Sequence, residues 1–171
     1  MGSTLTVDNI VGATAAGTVK MPAGHMVQYV VNQTMGQQTI STVNTYTDIG
    51  NSATTITPKF NNSKVKIDVS MDIAINKLSG ASGYGDRLQF RLVKNGSSLF
   101  TITENHFWVA NNSDSRRGRI HFQATDTVSS TSATVYKVQI YVRGTASSTS
   151  AQLSPHGASE LNEISLTEIS Q

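Results

Sequence analysis

The stretch that decides the fold is Val65-Lys66-Ile67-Asp68-Val69-Ser70-Met71-Asp72-Ile73-Ala74-Ile75. Large apolar side chains occupy every second position of these eleven residues, and neighbouring side chains of a β-strand point to opposite faces. The six apolar groups therefore share one face. Burying each of them would stabilise the fold by about 1.5–3 kcal/mol. The alternation predicts a long strand that anchors a hydrophobic core.

Two further runs show the same alternation. Residues 135–143 place their apolar groups on one face, namely Tyr136, Val138, Ile140 and Val142. We expect this face to pack against that of residues 65–75. The other run, Leu88-Gln89-Phe90-Arg91-Leu92, leads into Asn95-Gly96, and an Asn-Gly pair is the strongest short signal for a β-hairpin. Residues 99–103 are the predicted return strand.

Shorter strands are predicted in the rest of the chain, at residues 26–31, 39–47, 54–57, 119–124 and 163–169. Turn-forming residues separate the strands, at residues 57–63, 79–86, 111–118 and 145–150. No apolar pattern of helical period lasts beyond about one turn. The sequence therefore predicts an all-β fold, an antiparallel β-sandwich of jelly-roll type.

The first residues differ from the rest. Leu5, Val7 and Ile10 could form one short strand, but residues 12–19 are small and offer little to bury. Pro22-Ala23-Gly24 then indicates a turn at the end of this segment. We therefore divide the chain into an N-terminal attachment arm, residues 1–22, and a β-sandwich domain, residues 23–171. The arm is expected to pair with a neighbouring subunit through its apolar groups.

Composition narrows the class of protein. Charged residues make up 14% of the chain, against roughly 25% in ordinary soluble proteins. The net charge is only +2 and the basic residues are scattered, so we expect no nucleic-acid partner. The absence of cysteine excludes disulfides and thiol nucleophiles. No apolar run approaches the ~20 residues of a membrane span, and residues 1–10 lack the pattern of a signal peptide, so no membrane insertion is expected.

Neither catalytic nor metal-ligating residues form a recognisable set. Asp68 and Asp72 lie two pleats apart on the polar face of the long strand, where solvent or a subunit interface is the expected surrounding. The histidines are His25, His106, His121 and His156. His106 and His121 could meet across strands beside Glu104, but ordinary surface histidines are the expected interpretation. The sequence therefore predicts a protein that is not an enzyme and that binds no cofactor and no metal.

One basic cluster is formed by Arg116, Arg117 and Arg119, directly after the turn-forming residues 113–115. We expect an exposed loop tip, which is either simply solvated or binds an anionic glycan or an acidic patch of another protein. Trp108 precedes the cluster, and Trp beside Arg is typical of contacts with partners. The alternative is that Trp108 closes one end of the sandwich. The candidate partner-binding residues are therefore Leu5, Val7, Ile10, Trp108, Arg116, Arg117 and Arg119.

A set of short motifs runs through nearly the whole chain in a fixed order. The motifs are Ser3-Thr4-Leu5-Thr6-Val7-Asp8-Asn9-Ile10, Gly17-Thr18-Val19-Lys20-Met21-Pro22-Ala23-Gly24-His25-Met26-Val27-Gln28, Tyr46-Thr47-Asp48-Ile49-Gly50, Ile56-Thr57-Pro58-Lys59-Phe60, Ser63-Lys64-Val65-Lys66-Ile67, Phe90-Arg91-Leu92-Val93-Lys94-Asn95-Gly96, Tyr136-Lys137-Val138 and Ile164-Ser165-Leu166-Thr167-Glu168-Ile169. In order and spacing they resemble a family of tail-fibre-like and virion structural proteins that is common in marine bacteriophages.

The resemblance implies a homotrimer-forming β-sandwich on the exterior of a phage particle, with other capsid or tail proteins as partners. Such modules often close a much longer fibre, whereas this sequence begins at Met1 without a shaft. We therefore expect either a short tail fibre or spike, or a capsid decoration (cement) protein. The alternative is a receptor- or glycan-binding adhesin domain with a host-surface glycan as its partner. The resemblance carries over no catalytic residue.

Overall fold

The computed structural model describes residues 23–36, 38–77, 86–102, 108–109, 115–143, 149–153 and 162–171. The regular elements of these residues are twelve strands: β1 (Met26–Asn32), β2 (Gln38–Ile40), β3 (Tyr46–Asp48), β4 (Thr54–Ile56), β5 (Lys64–Lys77), β6 (Asp86–Lys94), β7 (Ser97–Ile102), β8 (Trp108–Val109), β9 (Ser115–Thr127), β10 (Thr134–Arg143), β11 (Thr149–Leu153) and β12 (Glu163–Ile169). Within these ranges no helix is long and apolar enough to cross a membrane. The predicted all-β class is confirmed.

Sheet 1 is built around β5, the strand predicted from residues 65–75. One edge of β5 pairs with β9, from Lys64 opposite Thr127 to Asn76 opposite Ser115. The other edge pairs first with β12 and then with β11. These two strands follow one another along β5 and pair in turn with β1 and β2. The order across sheet 1 is therefore β9, β5, β12 with β11, and β1 with β2.

Sheet 2 has β10 and β6 at its centre. These two strands pair from Tyr136 opposite Lys94 to Arg143 opposite Arg87. The other edge of β10 pairs with β4 and β3, and the other edge of β6 pairs with β7 and β8. The order across sheet 2 is therefore β3 with β4, β10, β6, and β7 with β8.

The pairings follow one rule along the chain. Early strands pair with late strands in reverse order: β1 and β2 with β12 and β11, β3 and β4 with β10, β5 with β9, and β6 with β7 and β8. The chain is thus a long hairpin. Rolling it up brings β5 against β12 and β6 against β10, which produces two sheets of antiparallel strands. This is the double-sheet jelly-roll arrangement, so the predicted sandwich is confirmed.

The core lies between the two sheets. Its side chains on the central strands are less than 2% exposed and include Val65, Ile67, Val69, Met71, Ile73, Tyr136, Val138, Ile140 and Val142. Both predicted core faces are therefore confirmed for these residues. Ile75 lies in β5 as expected, but only its backbone is described.

The predicted hairpin is also confirmed. β6 ends at Lys94 and β7 begins at Ser97, with Asn95 and Gly96 between them. Both turn residues have positive φ, 47° and 88°, which is the signature of a type I′ turn. The Val135 amide donates a hydrogen bond to Asn95 Oδ1 at 2.9 Å, which ties the turn to β10.

The predicted boundaries at residues 39–47 and 145–150 are wrong. The single strand predicted at residues 39–47 is divided between β2, which ends at Ile40 in sheet 1, and β3, which begins at Tyr46 in sheet 2. The chain crosses between the sheets here, and Asn44 takes a φ of 58°, outside the range of a strand. The turn predicted at residues 145–150 overlaps a strand, because β11 begins at Thr149 and pairs with both β5 and β2.

Candidate functional site

Some of the predicted partner-binding residues cannot be placed in the fold. Leu5, Val7 and Ile10 lie outside the described residues, as does all of the segment 1–22. Trp108 lies in β8, where its backbone pairs with that of Arg87. Because β8 pairs only with β6 among the described strands, Trp108 stands at one edge of sheet 2.

The arginine cluster is not a loop tip, so this prediction is wrong. Arg116, Arg117 and Arg119 belong to β9, opposite residues 75, 74 and 72 of β5. Residues 111–118 were predicted to be a turn because they are mostly polar and include Gly118. Pairing with the long β5 outweighs the low strand propensity of these residues from Ser115 onward.

Two ion pairs lie on the outer face of sheet 1. Arg119 donates from Nε to Ser70 Oγ at 2.8 Å, and its Nη1 lies 3.5 Å from Asp72 Oδ2. Lys66 Nζ lies 3.2 Å from Asp68 Oδ2. Each of the two carboxylates considered for acid–base chemistry therefore lies beside a cation, and Asp72 Oδ2 is itself buried without a hydrogen bond.

The outer side of β1 carries most of the large apolar groups that the described residues expose. Met26 is 64% exposed, Tyr29 is 52% exposed and Val31 is 43% exposed. We call these residues the β1 stripe. They lie at the edge of sheet 1, in a strand whose sequence, MVQYVVN, contains no charged residue. Exposed apolar groups that cluster in this way mark interaction sites more often than isolated ones do.

The alternate side chains of β1 turn inward and fasten the strand to sheet 2. Asn32 Nδ2 donates to the carbonyl oxygen of Asn51 at 2.8 Å, and Gln28 Nε2 donates to that of Thr57 at 2.8 Å. Both acceptors flank β4, at the edge of sheet 2. These bonds close one corner of the sandwich and hold the β1 stripe outward.

An aromatic and cationic group lies on the outer face of sheet 2. The guanidinium carbon of Arg91 sits 4.0 Å from the centroid of the Tyr46 ring. The Tyr46 and Tyr141 rings are tilted by 51°, with centroids 5.1 Å apart. Three strands contribute, because Tyr46 opposes Tyr141 between β3 and β10 while Arg91 comes from β6.

A row of polar side chains crosses the same face. Arg91 Nε donates to Gln139 Oε1, Gln139 Nε2 donates to Asp48 Oδ1, and Lys137 Nζ donates to Asp48 Oδ2 at 2.6 Å. The hydrogen bond from Lys137 is the main reason that the pKa of Asp48 lies below its ordinary value. Asp48 is therefore ionised at neutral pH, and the row has fixed side-chain positions.

The outer face of sheet 2 combines partly exposed rings, an amide, a carboxylate and two cations. Aromatic side chains together with a few placed polar groups are typical of surfaces that bind a ligand. Sequence reasoning missed this set. Tyr141 and Gln139 could be assigned to the outer face by alternation, but the register that brings Tyr46 and Asp48 opposite them cannot be read from the sequence.

Glu168 is a fully buried carboxylate at one end of sheet 1. It accepts hydrogen bonds from Ser63 Oγ at 2.7 Å, Gln28 Nε2 at 2.6 Å and the amides of Lys59 and Phe60 at 2.9 and 3.1 Å. Burial raises the pKa of Glu168, but the hydrogen bonds from these donors lower it by more. The pKa of Glu168 therefore lies below its ordinary value. Protein groups supply all of these donors, so we assign Glu168 a role in stabilising the fold.

One small cleft lies beside the turn that follows β3. A cleft of about 200 Å³ is lined by Gly36, Gln38, Gly50 and Asn51. Pockets for small molecules usually measure about 300–1,000 Å³. Within the same residues, no group of three or more His, Asp or Glu side chains could hold a metal ion. The open sheet faces are candidate functional surfaces because they carry the β1 stripe and the aromatic and cationic group of Tyr46, Tyr141 and Arg91.

Comparisons with known proteins give structural likeness only. No family model matches the sequence, and no curated protein matches it. The fold is similar to part of dimeric latent PorU from Porphyromonas gingivalis, with 12% identity and a TM-score of 0.37 over 89% of this chain and 14% of that chain. It is also similar to part of a chain of the T13 IBDV viral particle, with 9% identity and a TM-score of 0.33 over 99% of this chain and 39% of that chain. At these identities the likeness concerns the fold alone.

Proposed function

We propose that the protein is a non-enzymatic structural component of a bacteriophage virion, a trimeric jelly-roll module on the exterior of the particle. It acts as a short tail fibre or spike, or as a capsid decoration (cement) protein. The observation that carries the proposal is the rolled hairpin of two sheets, an architecture that recurs in viral capsid domains. The ordered motifs that resemble phage tail-fibre-like and virion proteins support the same role.

The chemistry of the open faces supports a structural role over an enzymatic one. A glycan-cleaving enzyme needs carboxylates flanking a bound substrate. Asp68 and Asp72 are instead paired with Lys66 and Arg119 at 3.2 and 3.5 Å. The surface is rich in hydroxyl and amide groups, which suits contacts with other proteins.

Residues 1–22 are the proposed attachment element. Their composition cannot form a core of its own, but the alternation of Leu5 and Val7 suits strand addition, in which an extended segment completes an open sheet edge of a partner. Deleting residues 2–20 should leave a folded sandwich that no longer joins the particle. Incorporation of the truncated protein at the normal level would overturn this role of the arm.

Purified particles test the location and the assembly. The proposal predicts that the protein is found in washed virions by mass spectrometry and is labelled by antibodies on intact particles. Many copies per particle would mean capsid decoration, whereas a few would mean a tail component. The trimer is tested separately by light scattering of the purified protein at micromolar concentration, where a monomer would overturn it.

A second candidate function is a glycan-binding adhesin, favoured by the rings and polar row on sheet 2. Tyr46, Tyr141 and Gln139 present aromatic and amide groups in positions that contacts with Arg91 and Asp48 hold fixed. An array of bacterial surface polysaccharides tests it. Binding that Tyr141→Ala abolishes and Phe100→Ala leaves unchanged supports the adhesin, and absence of binding in the wild type overturns it.

A further inference from the structure

We propose that the outer face of sheet 2 binds an acidic polysaccharide, whose carboxylates are held by Arg91 and Arg143 on either side of the Tyr141 ring. The inference rests on the second candidate function, the glycan-binding adhesin, and names the chemical class of its ligand. Three observations support it: the excess of positive charge on this face, the internal pairing of Asp48, and the position of the two arginines around the rings.

The outer faces of the two sheets differ in charge. Among the side chains that the structure describes, the outer face of sheet 1 carries three cations and three carboxylates: Lys64, Lys66, Arg119, Asp68, Asp72 and Glu163. That of sheet 2 carries three cations and one carboxylate: Arg91, Lys137, Arg143 and Asp48. A surface with an excess of one sign attracts ligands of the opposite sign. The outer face of sheet 2 is therefore complementary to an anionic ligand.

Asp48 does not oppose such a ligand, because protein groups already satisfy its carboxylate. Its Oδ2 accepts a hydrogen bond from Lys137 Nζ at 2.6 Å, and its Oδ1 accepts one from Gln139 Nε2. The ion pair balances the charges of Asp48 and Lys137. The positive charge that remains on this face belongs to Arg91 and Arg143.

Both arginines have guanidinium groups that can bind a carboxylate. The Tyr46 ring, 4.0 Å from the guanidinium carbon, and the hydrogen bond from Nε to Gln139 hold Arg91 in place. Arg143 is exposed at the end of β10. Within the described part of the chain neither arginine forms an ion pair, and the two terminal nitrogens of Arg91 have no hydrogen-bond partner. The planar fork of an arginine matches the two oxygens of a carboxylate.

The aromatic rings lie between the two arginines. Tyr141 opposes Tyr46 across β10 and β3. Arg143 follows Tyr141 by two positions on β10, and Gln139, which opposes Arg91, precedes it by two positions. At about 3.4 Å per residue, the two arginines are about 14 Å apart along the strands. A saccharide chain that crosses the rings can therefore present carboxylates to both arginines.

A sugar suits the groups between the arginines better than an acidic peptide does. The C–H groups of a sugar ring pack on the face of an aromatic ring, and its hydroxyl groups need hydrogen-bond partners where water is displaced. Tyr141 supplies a partly exposed ring, and the exposed Thr101, opposite Arg91, supplies a hydroxyl. An acidic polysaccharide combines these requirements with negative charge.

Matched ligands test the inference on the full chain. Polygalacturonate, alginate and hyaluronate carry carboxylates, and the methyl ester of each has the same sugars without the charge. Isothermal titration calorimetry should show binding of at least one acid form and about tenfold weaker binding of its ester, because charge-assisted hydrogen bonds are about twice as strong as neutral ones. An ester that binds as tightly as its acid, or absence of binding to all three acids, would overturn the inference.

Substitutions that change charge locate the site. Arg143→Gln should weaken binding of the acid form about tenfold. Lys64→Gln is the matched control, because it removes the same charge from an exposed position on sheet 1 and should leave binding unchanged. Equal losses in both variants would mean that net charge alone attracts the ligand, which would overturn the inference. Circular dichroism shows whether each variant is folded.

A gain of affinity keeps the test decisive if a loss is ambiguous. Gln89→Lys adds a cation opposite Tyr141 and should tighten binding of the acid form several-fold, a result that misfolding cannot produce. Unchanged or weaker binding by this variant in its folded form would overturn the inference. Tyr141→Ala should abolish binding, and full binding by this variant would also overturn it.

Other outcomes separate this inference from the proposed function. Binding to neutral polysaccharides but to no acidic one would overturn the inference and leave the adhesin standing. Tighter binding to poly-glutamate than to every acidic polysaccharide would overturn it in favour of an acidic peptide. Absence of the protein from washed virions would overturn the role in the particle, whereas the calorimetry would still support the saccharide site.

Discussion

Ser63 donates a hydrogen bond to Glu168 at 2.7 Å, although the two residues are 105 positions apart in the chain. The bond joins the turn before β5 to β12, its neighbour in sheet 1. The amides of Lys59 and Phe60 donate to the same carboxylate, so Glu168 serves as the anchor of the entire turn. A carboxylate suits this position because it accepts several hydrogen bonds at once.

Replacing Glu168 with Gln should lower the free energy of unfolding by about 1.5–3 kcal/mol at neutral pH, the range for hydrogen bonds to a charged group. The amide keeps the shape of the side chain but turns donors toward the donors of Lys59 and Ser63. Urea denaturation of both proteins measures the difference. An unchanged midpoint would mean that the turn is held by other contacts.

The stabilisation by Glu168 should depend on pH. Its pKa is lowered in the folded protein, so its contribution is present above the ordinary glutamate pKa of about 4.3 and is lost as the pH falls through the lowered value. The stability gap between wild type and Glu168→Gln should therefore narrow in acid. Glu163→Gln is the control on the same strand, because Glu163 is only partly buried and accepts one described hydrogen bond, from Gln33. Parallel pH curves for wild type and Glu168→Gln would contradict the prediction.

The two faces of β5 should respond differently to truncation. Ile67 is fully buried, so Ile67→Ala should lower the free energy of unfolding by about 2–5 kcal/mol. Lys66→Ala removes only a partly exposed ion pair with Asp68 and should change it by less than about 1 kcal/mol. Chemical denaturation of both variants measures this, and equal losses would mean that the faces are reversed.

The alternation of apolar and polar residues correctly predicted the strands in which every second side chain is buried. Ile67 and Ile140 were assigned to the core because each lies in a run of period two. The same reasoning failed near Asn44, where the chain leaves one sheet for the other while its composition stays strand-like. It also failed at Arg116, where polar residues lie in a strand because the partner β5 is long.

The candidate surfaces depend on contacts between distant residues, which the sequence alone does not contain. Arg91 and Tyr46 come together only because β6 and β3 both flank β10. The exposure of Tyr29 follows from the position of β1 at a sheet edge, although its own sequence equally suits a buried strand. Knowledge of strand order was therefore needed before either surface could be recognised.

The turn between β6 and β7 should require glycine. Gly96 has a φ of 88°, in the left-handed region, so Gly96→Ala should destabilise the protein by about 1–2 kcal/mol. Gly36→Ala is the matched control, since a Cβ there would meet open space and its φ lies outside that region. Thermal unfolding followed by circular dichroism compares the two. Equal melting temperatures would show that the turn relaxes without strain.

The two sheets are joined by a buried hydrogen bond from Tyr136 Oη of β10 to Asp126 Oδ2 of β9, at 2.6 Å. Lys94 Nζ of β6 also lies 2.6 Å from this carboxylate oxygen. Tyr136→Phe should lower the free energy of unfolding by about 1.5–3 kcal/mol, because it removes a hydrogen bond to a charged group. Tyr141→Phe, on the outer face, is the control and should change little.

Titration of Tyr136 separates this hydrogen bond from simple packing. Burial and the neighbouring Asp126 carboxylate raise the pKa of the phenol above its ordinary value. Its folded form therefore keeps the proton in alkali that ionises exposed tyrosines. The ultraviolet absorbance of native Tyr136→Phe should rise as much as that of the wild type on moving from neutral pH to about pH 11, since Tyr136 does not ionise there. In concentrated urea, where the phenol of Tyr136 is exposed, the wild type should show a larger rise than Tyr136→Phe. A smaller rise in native Tyr136→Phe would show that the phenol titrates freely and that the link between the sheets is weak.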